Sequence, residues 1–170
     1  LQAMPSNDDV FAASIRRCCV VLGRAIEEGQ AGDAAAAEAL PLTPVTTLGN
    51  DPLPYARLYR RPRVIAPVET LDAAAQGRGI LNLAPEADGV VRRVPLVVSV
   101  GERLHPALAL ELIRVVTGET TFVTRTGAFG IEGVVIGGTL IPTDATGRSW
   151  IHFGRADAIT QVSARDLLAG

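Results

Sequence analysis

A chain of 170 residues, 48% hydrophobic and 20% charged, has the size and mix of one ordinary globular domain, and it can bury a core without disulfide or metal staples. Sixteen basic residues against 18 acidic ones leave a net charge of -2, which argues against the basic face that nucleic-acid binding needs. The longest apolar runs fall far short of the roughly 18–20 residues that cross a bilayer, and no signal peptide is evident, so the chain reads as a soluble module.

Ser6-Asn7-Asp8-Asp9 supplies polar caps for a helix whose Val10, Phe11, Ser14, Ile15 and Cys18 recur at helical spacing. Cys19 to Gly23 follows as a short apolar strand, and a helix feeding such a strand predicts α/β layering. From Arg24 to Arg63 the pattern weakens. Ala31 to Ala39 is alanine-rich, and Pro41, Pro44, Pro52, Pro54 and Pro62 break any long element, so this stretch reads as a connection over the surface. Pro67 to Gly77 predicts a short helix ended by glycine.

Ile80 to Leu83 reads as a strand. Ala87-Asp88-Gly89-Val90 is a hairpin signal, because Asp-Gly readily takes the positive φ angles of a tight turn, and Val90 to Val100 is the returning strand, interrupted at Pro95. Gly101-Glu102-Arg103 turns the chain again. Pro106 to Thr117 is the clearest helix, with Gly118 ending it. Leu108, Leu112 and Val115 line its inner side, flanked by Ala109, Ile113 and Val116. Glu111 and Arg114 then face water, paired at a spacing of three. The last third reads as antiparallel. Strands start at Phe122, at Gly133 and at Thr139, the last two joined by a Gly137-Gly138 turn, and Ser149 to Phe153 forms another beyond a loop at Thr143 to Gly147. Ser163 to Leu168 begins a helix. The expected fold is mixed α/β (α+β): a mixed sheet with antiparallel hairpins flanked by helices.

Candidate chemistry is sparse. His105, ahead of Pro106, reads as a helix-entry residue and His152 as a surface or half-buried strand residue, and neither has metal-ligand spacing around it. Cys18-Cys19 has no histidine near it in sequence and reads as two small apolar residues where a helix meets a strand. There is no Gly-x-Ser-x-Gly elbow, no Gly-x-Gly-x-x-Gly after a strand and no Walker lysine. No catalytic residue, metal ligand or cofactor is therefore assigned. Arg57, Arg60, Arg61 and Arg63, interleaved with Tyr55 and Tyr59, form the densest charge cluster. Guanidinium forks suit an anion site, but the surrounding prolines favour a solvated loop.

The run Gly79-Ile80-Leu81-Asn82 … Asp88-Gly89-Val90-Val91-Arg92-Arg93-Val94-Pro95-Leu96 resembles the Gly-x-x-Asn, Asp-Gly-Val-x-Arg, Pro-Leu signature of the second type of CHASE domain. The similarity extends to Asp8–Gly23, His105–Leu110, Ile141–Asp144 and Val162–Gly170. The resemblance implies an extracytoplasmic sensor domain over residues 1–170, on the periplasmic face of the bacterial inner membrane. Its parent is membrane-anchored, with an adenylate or guanylate cyclase, histidine kinase or Ser/Thr kinase output. By the family pattern the chain is an incomplete copy of the domain, lacking a strand-helix-strand unit before Asp8 and segments after Gly170, and its ends read as cut boundaries. The implied partners are a small-molecule or protein signal and a second copy in a homodimer, with no nucleic acid. Asp88, Gly89 and Pro95 have structural explanations in the turn and strand. Arg92 and Asn82 do not, and they are the candidates either to lock the hairpin or to meet a ligand. The lock is favoured, because buried polar groups usually serve backbone partners.

Overall fold

The computed structural model describes residues 4–27, 40–50, 57–58, 60–61, 63–101, 103–155 and 160–169. Helix α1 (Asn7–Ile15) starts as its sequence predicts: the Ser6 hydroxyl accepts the Asp9 N–H at 3.1 Å, and the Asp9 carboxylate accepts the Ser6 N–H at 3.2 Å. Such a reciprocal box satisfies two of the amides that a helix start leaves unpaired. Ala12 and Ile15 pack with Leu71, Ala74 and Ala75 at the short helix α2 (Glu69–Ala74), and with Val20 and Leu22. Helix α2 stops well before Gly77, which instead opens a strand.

Strand β1 (Val21–Glu27) is the axis of the first sheet. It starts two residues later than expected and runs four residues further, past Gly23. The Arg24–Arg63 stretch is therefore not one surface connection. It also carries β2 (Val45–Gly49), β3 (Arg60–Arg61) and the start of β4 (Arg63–Ile65), while Ala31–Ala39 lies outside the described residues. Strand β5 (Gly77–Ile80) runs parallel to the first half of β1, and β4 pairs antiparallel with its second half. Only Ile80 of the expected Ile80–Leu83 strand lies in a ladder.

The second sheet has the order β11-β10-β9-β2, from β9 (Phe122–Gly127), β10 (Gly130–Ile136) and β11 (Thr139–Pro142), with β2 parallel to β9. Gly137 and Gly138 take φ 54° and 76° in the β10–β11 turn, as that glycine pair predicts. A third sheet orders β3, β7 (Val97–Val100) and β8 (Arg103–Pro106), and β6 (Arg93–Pro95) pairs with β12 (Arg148–Trp150). The strand expected over Ser149–Phe153 ends at Trp150. The main core gathers Leu58, Leu96, Val97, Leu104, Leu110, Phe122, Ile131, Val134 and Ile136.

Two expectations fail on tertiary grounds. The turn at Asp88-Gly89 forms, with Gly89 at φ 78°, but no strand-pair follows it: β5 is committed to β1, β6 to β12, and β7 to β3 and β8. Helix α3 (Leu108–Thr117) is capped by Gly118 at φ 74° but is rotated about its axis from expectation: Val115 is buried and Leu108 half-buried as expected, while Leu112 faces out and Glu111 and Arg114 face in. Leu110, Glu111, Arg114 and Val115 are buried, whereas Leu112, Ile113 and Val116 face solvent. The final helix, α4 (Ala164–Ala169), lies where the sequence places it and is exposed throughout.

Candidate functional site

Charged side chains gather on both faces of β5. Successive strand residues point to opposite faces, so Gly77 and Gly79 look one way and Arg78 the other. On the Arg78 face, Arg24 of β1 makes two bonds to the Asp72 carboxylate of α2, at 3.1 and 2.6 Å, with both residues no more than 2% exposed. The Arg78 guanidinium donates to the Asp72 and Ala75 carbonyls, each at 2.8 Å, and so caps the end of α2. Burial lowers the pKa of Arg78, against the opposing pull of Asp72.

On the glycine face lies α3. A Cβ on Gly79 would fall 2.6 Å from the Leu108 nitrogen, and one on Gly77 would strike the Glu111 carboxylate. Both positions need glycine because the helix sits directly on strand backbone. Glu111, wholly buried, accepts from Arg114 at 2.8 and 3.1 Å, and Arg114 also donates to the Gln76 and Glu119 carbonyls. These bonds account for the rotated helix: Arg114 ties α3 to the Gln76 backbone beside Gly77, which leaves the apolar residues at 109, 112, 113 and 116 outward. His105 of β8 is buried nearby, and its pKa is pushed down to about 4 by burial and then by Arg24 and Arg103, so it is neutral at neutral pH. Among the described residues, Arg24 Nη1, His105 Nε2 and Glu111 Oε1 are buried without a hydrogen-bond partner.

A second network holds the conspicuous motif. Asp88 accepts from the Val90 N–H at 3.1 Å and from Arg92 at 3.0 Å, and these bonds lower its pKa, that from Arg92 most. Arg93 bonds Glu86 at 2.9 Å and Asp144 at 2.7 Å, and its guanidinium lies 5.2 Å from the Trp150 ring centre. Asp144 in turn accepts from Thr146 and the Arg148 N–H, which ties the Ile141–Asp144 segment to the turn. The two candidates for ligand contact thus join different networks. Asn82 gives both amide atoms to Ile26, accepting its N–H at 2.6 Å and donating to its carbonyl at 2.9 Å, so the side chain continues the β1–β5 ladder past Ile80. Arg92, about two-fifths exposed, pairs with Asp88 and Glu86. Pro95 ends β6, and the strand is interrupted at Leu96 before β7.

Of the arginine cluster, Arg60 and Arg61 form β3 and Arg63 lies in β4 paired to Glu27, while Tyr55 and Tyr59 lie outside the described residues. His105 is a buried strand residue rather than a helix-entry one, and His152 is exposed. Cys18 and Cys19 are exposed free thiols, not packed apolar groups. A groove of about 240 Å3 on the outer face of the second sheet is lined by Leu48, Gly49, Val123, Arg125, Thr126 and Val135, smaller than the cavities that usually enclose a ligand. Among the described residues no three His, Cys, Asp or Glu side chains converge to hold a metal ion, and no helix is long and apolar enough to cross a membrane.

The family model of the CHASE2 domain matches residues 3–169. The chain belongs to the CHASE2 domain family. CHASE2 domains are extracellular, sensory and non-catalytic. No curated protein and no solved structure matches the chain. In this CHASE2 domain Gly79, Asn82, Asp88 and Gly89, which carry the sequence signature, each have a task in the fold: close helix approach, ladder extension and turn. Arg24, Asp72 and Arg78 went unnoticed in the sequence, whereas His105 and the Glu111–Arg114 pair were named and the pairing holds, but their burial was not foreseen. One signal was available, an arginine inside the apolar run from Val20 to Ile26, since such a charge enters a core only with a partner.

Proposed function

We propose that this CHASE2 domain is the extracytoplasmic input of a transmembrane signalling receptor that binds a small-molecule or protein signal, and that the receptor's output is an adenylate or guanylate cyclase. The match over residues 3–169 carries the sensory reading; the cyclase rests on the family resemblance of the motifs. The charged clusters on the two faces of β5 support it physically. They tie α2, β1, β5 and α3 through hydrogen bonds that lock discrete positions, and a signal acts on such an element only by its different affinity for two arrangements of it. A thermal-shift screen of the chain against small extracytoplasmic metabolites tests it. A ligand at 100 times its Kd adds about 2.7 kcal/mol, which raises Tm by roughly 5–10 °C in a chain of this size. No shift with any compound, while the intact receptor still answers its signal, overturns small-molecule binding.

The outward apolar stripe of α3 favours a second reading, a dimerisation domain of a receptor kinase. Ala109, Leu112, Ile113 and Val116 recur at i, i+3, i+4 and i+7 on the solvent side, the spacing by which helices pack together. A monomeric mass by light scattering across concentrations counts against it.

A further inference from the structure

We propose that Cys18 and Cys19 form a redox-active thiol pair whose oxidised end state is a disulfide to the same pair on a second copy of the chain. The proposal rests on the extracytoplasmic placement argued above, because disulfides form and persist there. Free cysteine is among the residue types most often buried. Here both thiols are exposed, at the bend between α1 and β1.

The backbone presents them firmly. The Cys18 N–H donates to the Ile15 carbonyl at 3.1 Å, and the Val20 N–H donates to the Cys18 carbonyl at 3.0 Å. Upstream, Ala12 and Ile15 are buried; downstream, the Val20 carbonyl accepts from the Gln76 and Gly77 amides.

Geometry chooses the partner. Neighbouring Cα atoms lie about 3.8 Å apart across a trans peptide, below the roughly 4.4–6.8 Å that disulfides span, so a ring within the pair is strained. These 170 residues hold only these two cysteines, so within them an unstrained disulfide forms only with another molecule. A second copy offers the same two thiols in the same presentation, so the pairs match without a leftover thiol. Phe11, more than half exposed on α1, precedes the bend that carries the pair and gives the second copy an apolar side chain to cover.

The oxidant is a low-molecular-weight disulfide. A protein thiolate attacks one of its sulfurs, forming a mixed disulfide and releasing one small thiol. A thiolate of the second copy attacks the protein-side sulfur of that bond and releases the other. Per bridge, two protein thiols lose two protons and two electrons, and the small disulfide becomes two thiols. The bridge then ties together the α1–β1 junctions of both copies, five residues from the buried Arg24–Asp72 pair.

The test equilibrates the 170-residue chain in buffers of reduced and oxidised glutathione and reads intact mass without reductant. The expected product is a covalent dimer, retained in Cys18→Ser and in Cys19→Ser and lost in the double variant. Phe11→Asp is expected to lower the dimer at equal redox poise by about tenfold, the loss of part of a buried apolar side chain. A monomer with two free thiols, a monomer two hydrogens lighter, a persistent glutathione adduct without dimer, or a dimer yield indifferent to Phe11→Asp would each overturn the proposal. The chemistry is read in buffer, so its failure is separate from failure of the extracytoplasmic placement, which labelling of intact cells with a membrane-impermeant maleimide tests.

Discussion

Asp72→Ala removes the acceptor of two buried guanidinium bonds. Arg24 is 1% exposed and donates two hydrogen bonds to this carboxylate, from Nε at 3.1 Å and Nη2 at 2.6 Å, and its Nη1 has no partner among the described residues. Without Asp72 a full positive charge stays in the core beside Arg78, whose nitrogen is 3.5 Å from the same carboxylate. Breaking a buried pair from one side costs about 3–5 kcal/mol, a large share of the roughly 5–15 kcal/mol that holds a domain folded. At about 2–4 °C per kcal/mol for this length, Tm falls by roughly 6–20 °C. Replacing both partners, Arg24→Met with Asp72→Leu, removes the stranded charge and is expected to recover most of the loss, because apolar residues of similar volume replace such pairs at little net cost. Urea melts of the wild type, both single variants and the double variant give the cycle. A loss under about 1 kcal/mol for Asp72→Ala, with the double variant no better than either single one, would show that the pair does not hold α2 to β1.

Gly79→Ala drives a methyl group into the Leu108 backbone and is expected to cost about 1–3 kcal/mol or more by chemical denaturation, whereas Gly154→Ala, with open space around it, stays within about 0.5 kcal/mol. His105 titrates near 6.5 when unfolded and near 4 when folded, so below pH 6.5 the unfolded state binds more protons. Stability is therefore lost as pH falls from about 6.5 to 4, by about 3 kcal/mol at full extent; urea midpoints across that range should show this slope in the wild type and lose it in His105→Gln. Val116→Glu, at a site 84% exposed, is expected to leave stability within about 0.5 kcal/mol while reducing self-association in light scattering; unchanged association rules out this helix face as the contact.

The sequence told most where physics acts locally. The Ser6 cap, the Gly137-Gly138 turn, the Gly118 stop and the strand interruption at Pro95 depend on one or a few residues, and each is seen. It told least where partners are distant. The span from Arg24 to Arg63 looked like loop because its strands are short and pair with segments far away: β2 with β9, β3 with β7. Helix α3 is amphipathic as read, but its sequence cannot say which side meets the sheet when the sheet offers only Gly77 and Gly79. Backbone without side chains admits the Glu111–Arg114 pair beside the Val115 methyl group, and that rotated the helix. The candidate site shares this property. Arg24 and Asp72 are 48 residues apart, and the parallel β1–β5 register together with the packing of α2 on α1 brings them together.

The same logic separates what defines the CHASE2 domain from what it senses. Gly79 exists for contact with Leu108, Asn82 for the Ile26 backbone, Gly89 for its turn, and Arg93 for Glu86 and Asp144. A residue whose polar atoms are already committed to its own fold has little left to offer a ligand, and any signal that engaged it would first have to break those bonds. If the domain binds a signal as proposed, discrimination between signals would fall to side chains with fewer such duties: the outward stripe of α3, Val123 and Val135 in the groove of the second sheet, and the thiols at Cys18 and Cys19. Substitutions in the first group should lower stability and response together, whereas substitutions in the second should alter the response at constant Tm. A scan that measures both separates the two groups, and a motif residue such as Asn82 that changes the response without touching stability would move the binding site back into the signature.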